Sequence, residues 1–392
     1  MSAAGTSISR VLMTADAVGG VWQYAVDLGG ALGRRGIRVV LAVMGPTPSE
    51  QQLREAERVG VAAVARPYRL EWEDEPWDDV ARAAGWLLAL ERAIKPDVVH
   101  LNGYSHAALP WRAPRVVVAH SCVRSWWRAV RGGDAPAEWD RYRMSVANGL
   151  AAADLVIAPT NAMRHALEAE YGLQPRARVI ANGLDRASRP EDVEKEPAVL
   201  IAGRLWDEAK NVAALCAVTA DVPWPVWVAG DDRGCDGFGT ARRLGRLSRE
   251  DLGAWMARAA IYAHPARYEP FGLSVLEAAA AGCALVLGDI PSLRENWDGA
   301  AVFVDPDDRE GLASALRALI ADPHRRSRLA HLARQRSRRF DIDATAEAYA
   351  EAYASTGCRA GRTPSGAGPK RSAAGLTPCA TYGHASAAGC RS

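Results

Sequence analysis

The sequence lacks the features that would direct the protein out of the cell or across a membrane. Its seven cysteines are scattered along 392 residues with no CxxC pair and no metal-ligand spacing, a usage typical of reduced thiols. No apolar run approaches the ~18–20 residues of a membrane span. The N-terminus has no basic stretch followed by an apolar one, so we expect no signal peptide. These absences predict a cytoplasmic protein.

An excess of charge of one sign is also missing. The formal net charge is +2, which argues against a nucleic-acid partner. The first predicted strand is followed by "DAVGGVWQ", which lacks the G-x-G-x-x-G spacing of an NAD-dependent dehydrogenase. No DxD triplet or His/Cys cluster stands in a plausible cleft position, so we expect neither a metal nor a cofactor.

Short apolar runs alternate with longer amphipathic stretches along the whole chain. With about 150 residues per domain, the length suggests two or three domains. Apolar runs that read as strands buried on both faces are typical of a parallel sheet. In the first half we predict strands over 10–16, 37–45, 97–103, 115–121, 154–160 and 177–183, and helices over 21–35, 49–59 and 76–94.

A charged, proline-bearing stretch without periodicity interrupts this pattern at 185–197 and predicts a linker. A second α/β series follows, with strands over 198–204, 224–232, 260–266, 283–289 and 300–306 and helices near 307–321, 324–339 and 344–355. The last residues are rich in Gly, Ser, Ala and Pro and predict a disordered tail. We therefore predict doubly wound α/β domains over 1–184 and 198–340, a C-terminal helix over 341–356 and a tail over 357–392.

Doubly wound domains bind ligands at the carboxyl ends of their strands, so the residues just after each strand should decide function. Arg204 and Lys210 straddle the turn after the first strand of the second domain, and we expect Lys210 in the first turn of the next helix. Two cations beside a helix N-terminus form a site for a diphosphate. The alternative is that both are solvated side chains on a loop.

The stretch "YEPFGLSVLEAAAAGC" places Glu269 before a helix and Glu277 inside it. Gly272 exposes N–H groups at the helix start, and Gly230, after the preceding strand, lets the backbone approach something closely. The carboxylate of Glu277 can accept both hydrogen bonds of a ribose diol. Alternatively, Glu277 is a structural acceptor and Glu269 only balances the dipole of the helix.

These residues belong to a longer series of landmarks. "EPFGLSVLE" contains two glutamates separated by seven residues, and "GGV", "AHS", "NG", "GR", "KN" and "LREN" occur around it in a fixed order. The series resembles the retaining GT-B glycosyltransferases, most closely glycosyltransferase family 4, over roughly residues 8 to 355. One departure is the separation of Arg204 and Lys210, which is six positions where many members have five.

The resemblance implies two Rossmann-like domains facing a cleft, the first binding the acceptor and the second the donor, with the C-terminal helix returning to the first. It also implies a metal-independent enzyme that moves a sugar from a nucleotide-diphosphate-sugar donor to a hydroxyl acceptor. Arg204 and Lys210 would stabilise the leaving diphosphate, and Glu277 would hold the ribose. The remaining site residues would be Glu269 and His120 at the transferred sugar, with Gly19, Gly20, Gly203, Gly230, Phe271, Gly272 and Leu273 approaching the donor.

Several readings stay open at this point. His120 ends a buried strand, where a histidine is often a core residue, and for Asp16 we favour capping of the following helix over contact with the acceptor. The stretch 121–133 carries tryptophans and arginines that could stack on a sugar or contact a membrane surface. We interpret the acidic segment 71–79 as a solvated loop. A non-catalytic nucleotide-sugar-binding subunit, an epimerase or a phosphorylase would share the architecture.

Overall fold

The computed structural model describes residues 8–172, 174, 176–185, 193–234 and 237–357. The predicted tail from 358 onward and residues 186–192 of the predicted linker lie outside the described residues. Within the described part, the chain forms two parallel sheets, each covered by helices on both faces. The predicted doubly wound α/β fold is confirmed.

The first sheet has the strand order β3-β2-β1-β4-β5-β6-β7, and every pair is parallel. Its strands are β1 Arg10–Asp16, β2 Arg38–Met44, β3 Ala62–Ala65, β4 Val98–Leu101, β5 Arg115–Val118, β6 Leu155–Ala158 and β7 Ala177–Val179. Its helices are α1 Gly20–Arg34, α2 Glu50–Arg58, α3 Trp77–Ile94, α4 Val123–Arg131, α5 Asp140–Ala152 and α6 Asn161–Tyr171.

The second sheet has the order β10-β9-β8-β11-β12-β13, again all parallel. Its strands are β8 Glu196–Arg204, β9 Val226–Asp231, β10 Arg242–Gly245, β11 Ala259–His264, β12 Ala284–Gly288 and β13 Ala301–Val304. The helices are α7 Val212–Ala217, α8 Arg249–Arg258, α9 Leu273–Ala280, α10 Pro291–Trp297, α11 Arg309–Ala321, α12 Pro323–Ser337 and α13 Ile342–Gly357.

The edge strands β3 and β10 were not predicted. Their residues are mostly exposed or half-buried, so they lack the continuous apolar run that marks the central strands. The central strands β4, β6, β11 and β12 are buried at every position, which is why their sequence pattern is clear.

The C-terminal helix α13 returns to the first domain, as expected. The tyrosines Tyr349 and Tyr353 are fully buried in the first domain's core, where Tyr353 Oη lies 2.6 Å from His100 Nδ1. Thr345 Oγ1 donates a hydrogen bond to the Ala181 carbonyl at 3.0 Å. The chain therefore crosses between the domains a second time after α12.

Hydrogen bonds also join the two domains directly. The Glu295 carboxylate of α10 accepts the backbone N–H groups of Asn161 and Ala162 at 2.8 and 2.9 Å, so a carboxylate of one domain caps helix α6 of the other. Tyr268, in the loop after β11, accepts a hydrogen bond from the backbone N–H of Cys122 at 3.1 Å. These bonds hold the carboxyl ends of the two sheets toward each other.

The strand order reverses between β1 and β4 in the first sheet and between β8 and β11 in the second. Open α/β sheets bind ligands in the crevice at such a reversal. The loops that follow β1, β4, β8 and β11 therefore define the candidate site, and they contain most of the residues singled out from the sequence.

Two helical glycines of the first domain test how closely its elements are packed. Gly149 of α5 lies against the Tyr104 backbone, and a Cβ there would overlap the Tyr104 carbonyl oxygen, whereas a Cβ at Gly85 of α3 would meet nothing within 4 Å. Gly149→Ala should lower the free energy of unfolding by ~1–3 kcal/mol through overpacking. The matched Gly85→Ala should raise it by ~0.5–1 kcal/mol. Urea denaturation measures both, and changes of the same sign would contradict this packing.

Candidate active site

The turn after β8 is organised by Asp207. Its carboxylate accepts a hydrogen bond from Arg204 Nη2 at 2.7 Å and from the Ala209 backbone N–H at 3.0 Å. Trp126 of the first domain donates its indole N–H to the same carboxylate at 3.2 Å. Asp207 is buried while Arg204 stays partly exposed, so the carboxylate directs the guanidinium toward the cleft.

Lys210 lies in the first helical turn after β8, as predicted, but this turn is a 3-10 helix that is separate from α7. Lys210 ends this short turn, Glu208–Lys210, and α7 begins only at Val212 because Asn211 adopts a left-handed φ of 53°. The Asn211 amide donates to the carbonyls of Pro265 and Pro306 at 2.9 and 2.7 Å, which holds this break in place. Lys210 therefore reaches the site from a fixed turn.

The Lys210 ammonium forms a largely buried ion pair with Glu269, with Nζ and Oε2 2.6 Å apart. His264 Nε2 lies 3.1 Å from the same Oε2, and Glu269 Oε1 accepts the backbone N–H of Gly272 at 3.1 Å. Burial raises the pKa of Glu269, but the charge of Lys210 and the hydrogen bond from His264 prevail and lower it well below its usual range. Glu269 is therefore ionised, and both its oxygens are engaged by Lys210, His264 and the Gly272 backbone N–H.

Gly203 of β8 and Gly230 of β9 are neighbours in the sheet and pack on each other. A Cβ at Gly230, where φ is 144°, would overlap the Gly203 carbonyl oxygen of the neighbouring strand. A Cβ at Gly203 would lie 3.9 Å from Lys210 Cγ. The close approach expected at Gly230 is thus made by the Gly203 backbone.

Residues predicted in different domains meet across the cleft. A Cβ at Gly19 would lie 3.9 Å from Arg204 Nη1, and one at Gly20 would lie 3.5 Å from Leu273 Cδ1. Asp16, at the end of β1, accepts the Val18 backbone N–H at 2.9 Å and does not cap α1, which has no side-chain cap, so that prediction is wrong. The Gly19–Gly20 loop of the first domain therefore faces Arg204 and the start of α9 in the second domain.

The loop after β11 and the start of α9 combine buried and accessible groups. Phe271 is a core residue whose ring packs on Phe340 at 5.5 Å between centroids, so only its backbone borders the site. Gly272 has a φ of 88°, which favours glycine, and α9 begins directly after it. Glu277 lies in the second turn of α9, and burial raises its pKa to about 7 although Arg249 opposes the shift.

His120 belongs to a hydrogen-bonded group at the carboxyl end of the first sheet. Asn102 donates its amide N–H to the Thr14 carbonyl at 2.7 Å, which turns Asn102 Oδ1 toward two histidines. His120 Nε2 lies 2.8 Å and His100 Nε2 3.0 Å from that oxygen, so both rings donate there. Burial, with His100 nearby, lowers the pKa of His120 to about 3. His120 is therefore neutral, with Nδ1 available as an acceptor.

The basic and aromatic stretch 121–133 forms α4 and is tied to carboxylates of the protein itself. Arg124 and Arg128 both bind Glu170, at 2.8 and 2.6 Å, and Arg131 binds Glu208 of the second domain at 2.5 Å. Stacking on a sugar and contact with a membrane surface both remain predictions for this stretch. Among the described residues, no helix combines the length and apolar composition that crossing a bilayer requires.

The acidic segment 71–79 is less solvated than expected. Glu71 accepts the backbone N–H groups of Tyr104 and Ser105 at 3.0 and 2.7 Å, and Asp79 accepts that of Arg69 at 3.0 Å. Its carboxylates thus hold loops together. Across the described ranges, no group of three or more His, Cys, Asp or Glu side chains could hold a metal ion.

Sequence reasoning missed four residues of the site: Asn102, Asp207, Arg249 and His264. Asn102 and His264 could have been found, because one follows β4 directly and the other ends β11. Asp207 lies three residues after Arg204 and could also have been found from that spacing, whereas Arg249 has no local signal because its partner Asp27 is distant in sequence.

Comparison with known proteins agrees with this geometry. The sucrose-phosphate synthase of Thermosynechococcus elongatus superposes with a TM-score of 0.73 at 19% identity, covering 88% of this chain and 98% of its own. The Anabaena protein HepE, solved in complex with UDP and glucose, superposes with a TM-score of 0.70 at 18% identity, covering 88% of this chain and 100% of its own. The fold is therefore the GT-B architecture, in which two Rossmann-like domains face a cleft.

The particular family follows from the sequence matches. The family model described as Glycosyltransferase Family 4 matches residues 18–188, and the model described as Glycosyl transferases group 1 matches residues 196–322. A D-inositol 3-phosphate glycosyltransferase of Kineococcus radiotolerans is 30% identical over 87% of this chain and 91% of its own. The chain belongs to glycosyltransferase family 4, as the sequence motifs predicted, and it is an enzyme of that class.

The lowered pKa of His120 predicts a pH-dependent stability. In the unfolded chain this histidine is protonated below the ordinary pKa of 6.5, whereas in the folded protein it stays neutral down to about pH 3. Because the unfolded state then binds more protons, the free energy of unfolding falls as the pH drops from 6.5 to about 3. The loss should be about 1.4 kcal/mol per pH unit for this residue. Glu277 contributes the opposite slope between 4.5 and about 7, so the wild type must be compared with His120→Gln.

Urea unfolding at pH 7, 6 and 5 makes this comparison. His120→Gln retains an amide that can donate to Asn102 but cannot titrate, so its stability should fall less than that of the wild type. Parallel curves for the two proteins would show that His120 protonates freely in the folded state.

Proposed function

We propose that the protein is a retaining, metal-independent glycosyltransferase that moves a sugar from a nucleotide-diphosphate-sugar donor to a hydroxyl acceptor. The observation that carries the proposal is that Arg204, at the end of β8, meets Gly19 in the loop of the other domain, while Lys210 is held beside Gly203 in the turn after the same strand. A diphosphate placed there would contact the two fixed cations and the glycine backbone of the Gly19–Gly20 loop. HepE, which binds UDP, supports a nucleotide donor at such a cleft.

The two cations suit the charge that develops in glycosyl transfer. Negative charge builds on the leaving diphosphate as the anomeric carbon becomes electron-poor, and fixed positive groups stabilise this transition state more than the ground state. Asp207 holds Arg204 and Glu269 holds Lys210, so neither cation needs to reorganise during the reaction. Side chains of the protein would thus do the work that a divalent ion does elsewhere.

The surroundings of Glu269 support same-face attack over a double displacement. A double displacement needs a carboxylate free to bond the anomeric carbon. Both Glu269 oxygens are already engaged by Lys210, His264 and the Gly272 N–H. In the mechanism we favour, the leaving phosphate oxygen takes the proton of the acceptor hydroxyl, and that hydroxyl attacks from the side the phosphate leaves.

The remaining site residues would orient the donor. Glu277 would accept the two ribose hydroxyls, and neutral His120 would accept a hydroxyl of the transferred sugar through Nδ1. The acceptor would enter over the first domain, beside α4. A soluble sugar acceptor and a lipid-linked sugar acceptor would both be able to reach the cleft from this side.

A thermal-shift screen of UDP, GDP and ADP tests the donor site. At least one should raise the melting temperature, since a ligand at 100 times its Kd adds about 2.7 kcal/mol of stability. Lys210→Ala and Glu277→Ala should remove both the shift and sugar transfer while keeping the circular dichroism of the folded protein. Lys95→Ala, at an exposed position after α3, is the matched control and should keep both. Full transfer by Lys210→Ala and Glu277→Ala would contradict the assignment.

The chemistry is tested with the donor that the screen identifies. Transfer should be unchanged in excess EDTA, because the cations that stabilise the leaving group belong to the chain. The product should keep the anomeric configuration of the donor when it is followed by proton NMR from the first turnovers. Strict dependence on a divalent ion would refute metal independence, and inversion would refute the retaining mechanism.

A further inference from the structure

Arg249, the first residue of α8, joins the two domains beside the predicted donor site. Its Nη1 and Nη2 donate to the two carboxylate oxygens of Asp27, both at 2.8 Å. Asp27 lies in α1 of the first domain and is mostly buried, and Gln23 Nε2 also donates to it at 2.8 Å. A two-pronged arginine–carboxylate pair of this kind is strong and geometrically specific. It therefore holds α8 and α1 in one relative position.

The same guanidinium also reaches Glu277. Arg249 Nε lies 3.9 Å from Glu277 Oε1, so one cation stands between two carboxylates that belong to different domains. Both Nη groups donate to Asp27, and Nε is the guanidinium nitrogen that faces Glu277. Separation of the domains would pull Arg249 away from Asp27 and free it to move relative to Glu277.

We propose that Arg249 is a positioning residue that couples closure of the two domains to recognition of the donor ribose. The inference rests on the proposed function, in which Glu277 accepts the ribose hydroxyls. In the closed arrangement Asp27 fixes the guanidinium, and the guanidinium in turn supports the ionised form of Glu277. A nucleotide on Glu277 then favours closure, and closure favours the nucleotide, by the same coupling free energy.

Because nucleotide binding depends on the charge of Glu277, the coupling can be measured as a change in the pH dependence of nucleotide affinity. The groups facing its carboxylate are Arg249 from α8, Asp27 from α1 and the Tyr262 hydroxyl from β11, while Glu55 and Asp185 act on Arg249 and Asp27 respectively. Burial raises the pKa of Glu277 to about 7, Arg249 lowers it and Asp27 raises it. Removing Arg249 should therefore move the acid limb of nucleotide binding to higher pH. Removing the charge of Asp27 should move it to lower pH.

The test measures affinity for the nucleoside diphosphate (UDP, GDP or ADP) that most stabilises the wild type, by calorimetry from pH 5.5 to 9. Arg249→Met should weaken binding about five-fold or more at pH 7, the lower range of a coupling free energy, with its acid limb at higher pH. Asp27→Asn should shift the limb the other way. The affinity for inorganic pyrophosphate, which has no ribose and does not contact Glu277, should show no such shift of its pH profile in either variant. Arg258→Ala, at the other end of α8 and paired with Glu196 of the same domain, is the matched control and should behave as the wild type.

A charge swap separates the two parts of the proposal. Asp27→Arg combined with Arg249→Asp restores an ion pair between the domains but places a carboxylate beside Glu277. Small-angle scattering should show a larger radius of gyration for each single variant and a return toward the wild-type value in the double variant. Nucleotide affinity should stay low in the double variant. Circular dichroism confirms that each variant is folded.

Three results would overturn the coupling. They are single variants that bind the nucleotide as the wild type does at every pH, an Arg249→Met variant whose acid limb does not move to higher pH, and a swap that restores full affinity. A wild type that binds none of the three nucleotides would overturn the proposed function together with the coupling. Failure of the coupling alone is recognised because the wild type still binds.

Discussion

Strands buried on both faces constrain everything else in this protein. Because helices cover both sides of each parallel sheet, charged and polar side chains can approach the centre of a domain only at the strand ends. The carboxyl ends of β1, β4, β8 and β11 therefore carry the chemistry, and the facing of the two sheets brings those ends together. The position of the site therefore follows from the fact that polar side chains can lie only at the strand ends.

The charges gathered there are already neutralised within the chain. Lys210 pairs with Glu269, Arg204 with Asp207, and Arg249 with Asp27. Such pairing keeps the cations oriented in a region of low dielectric, where an unpaired charge would be costly. A bound diphosphate would add to these networks, because each cation keeps donors or exposed surface that its carboxylate partner does not use.

Much of the fold follows from sequence pattern because the central strands and long helices have strong periodicity. The predicted helix over 76–94 is observed as Trp77–Ile94, and the predicted strand over 10–16 as Arg10–Asp16. The edge strands β3 and β10 escaped, since exposure removes the apolar signal. The break before α7 also escaped, because it depends on Asn211 bonding to carbonyls more than fifty residues away.

The sequence by itself determined the class of fold, the family and the residues at the strand ends, since these depend on local periodicity and on motifs whose order can be read along the chain. Only the tertiary structure decided how those residues are paired. It placed Glu269 on Lys210 and His264, turned Asn102 toward His120, and set Arg249 between Asp27 and Glu277. The physical reason is that ion pairs and hydrogen bonds of this kind join residues from different elements and different domains, and no spacing along a chain encodes the distance between them.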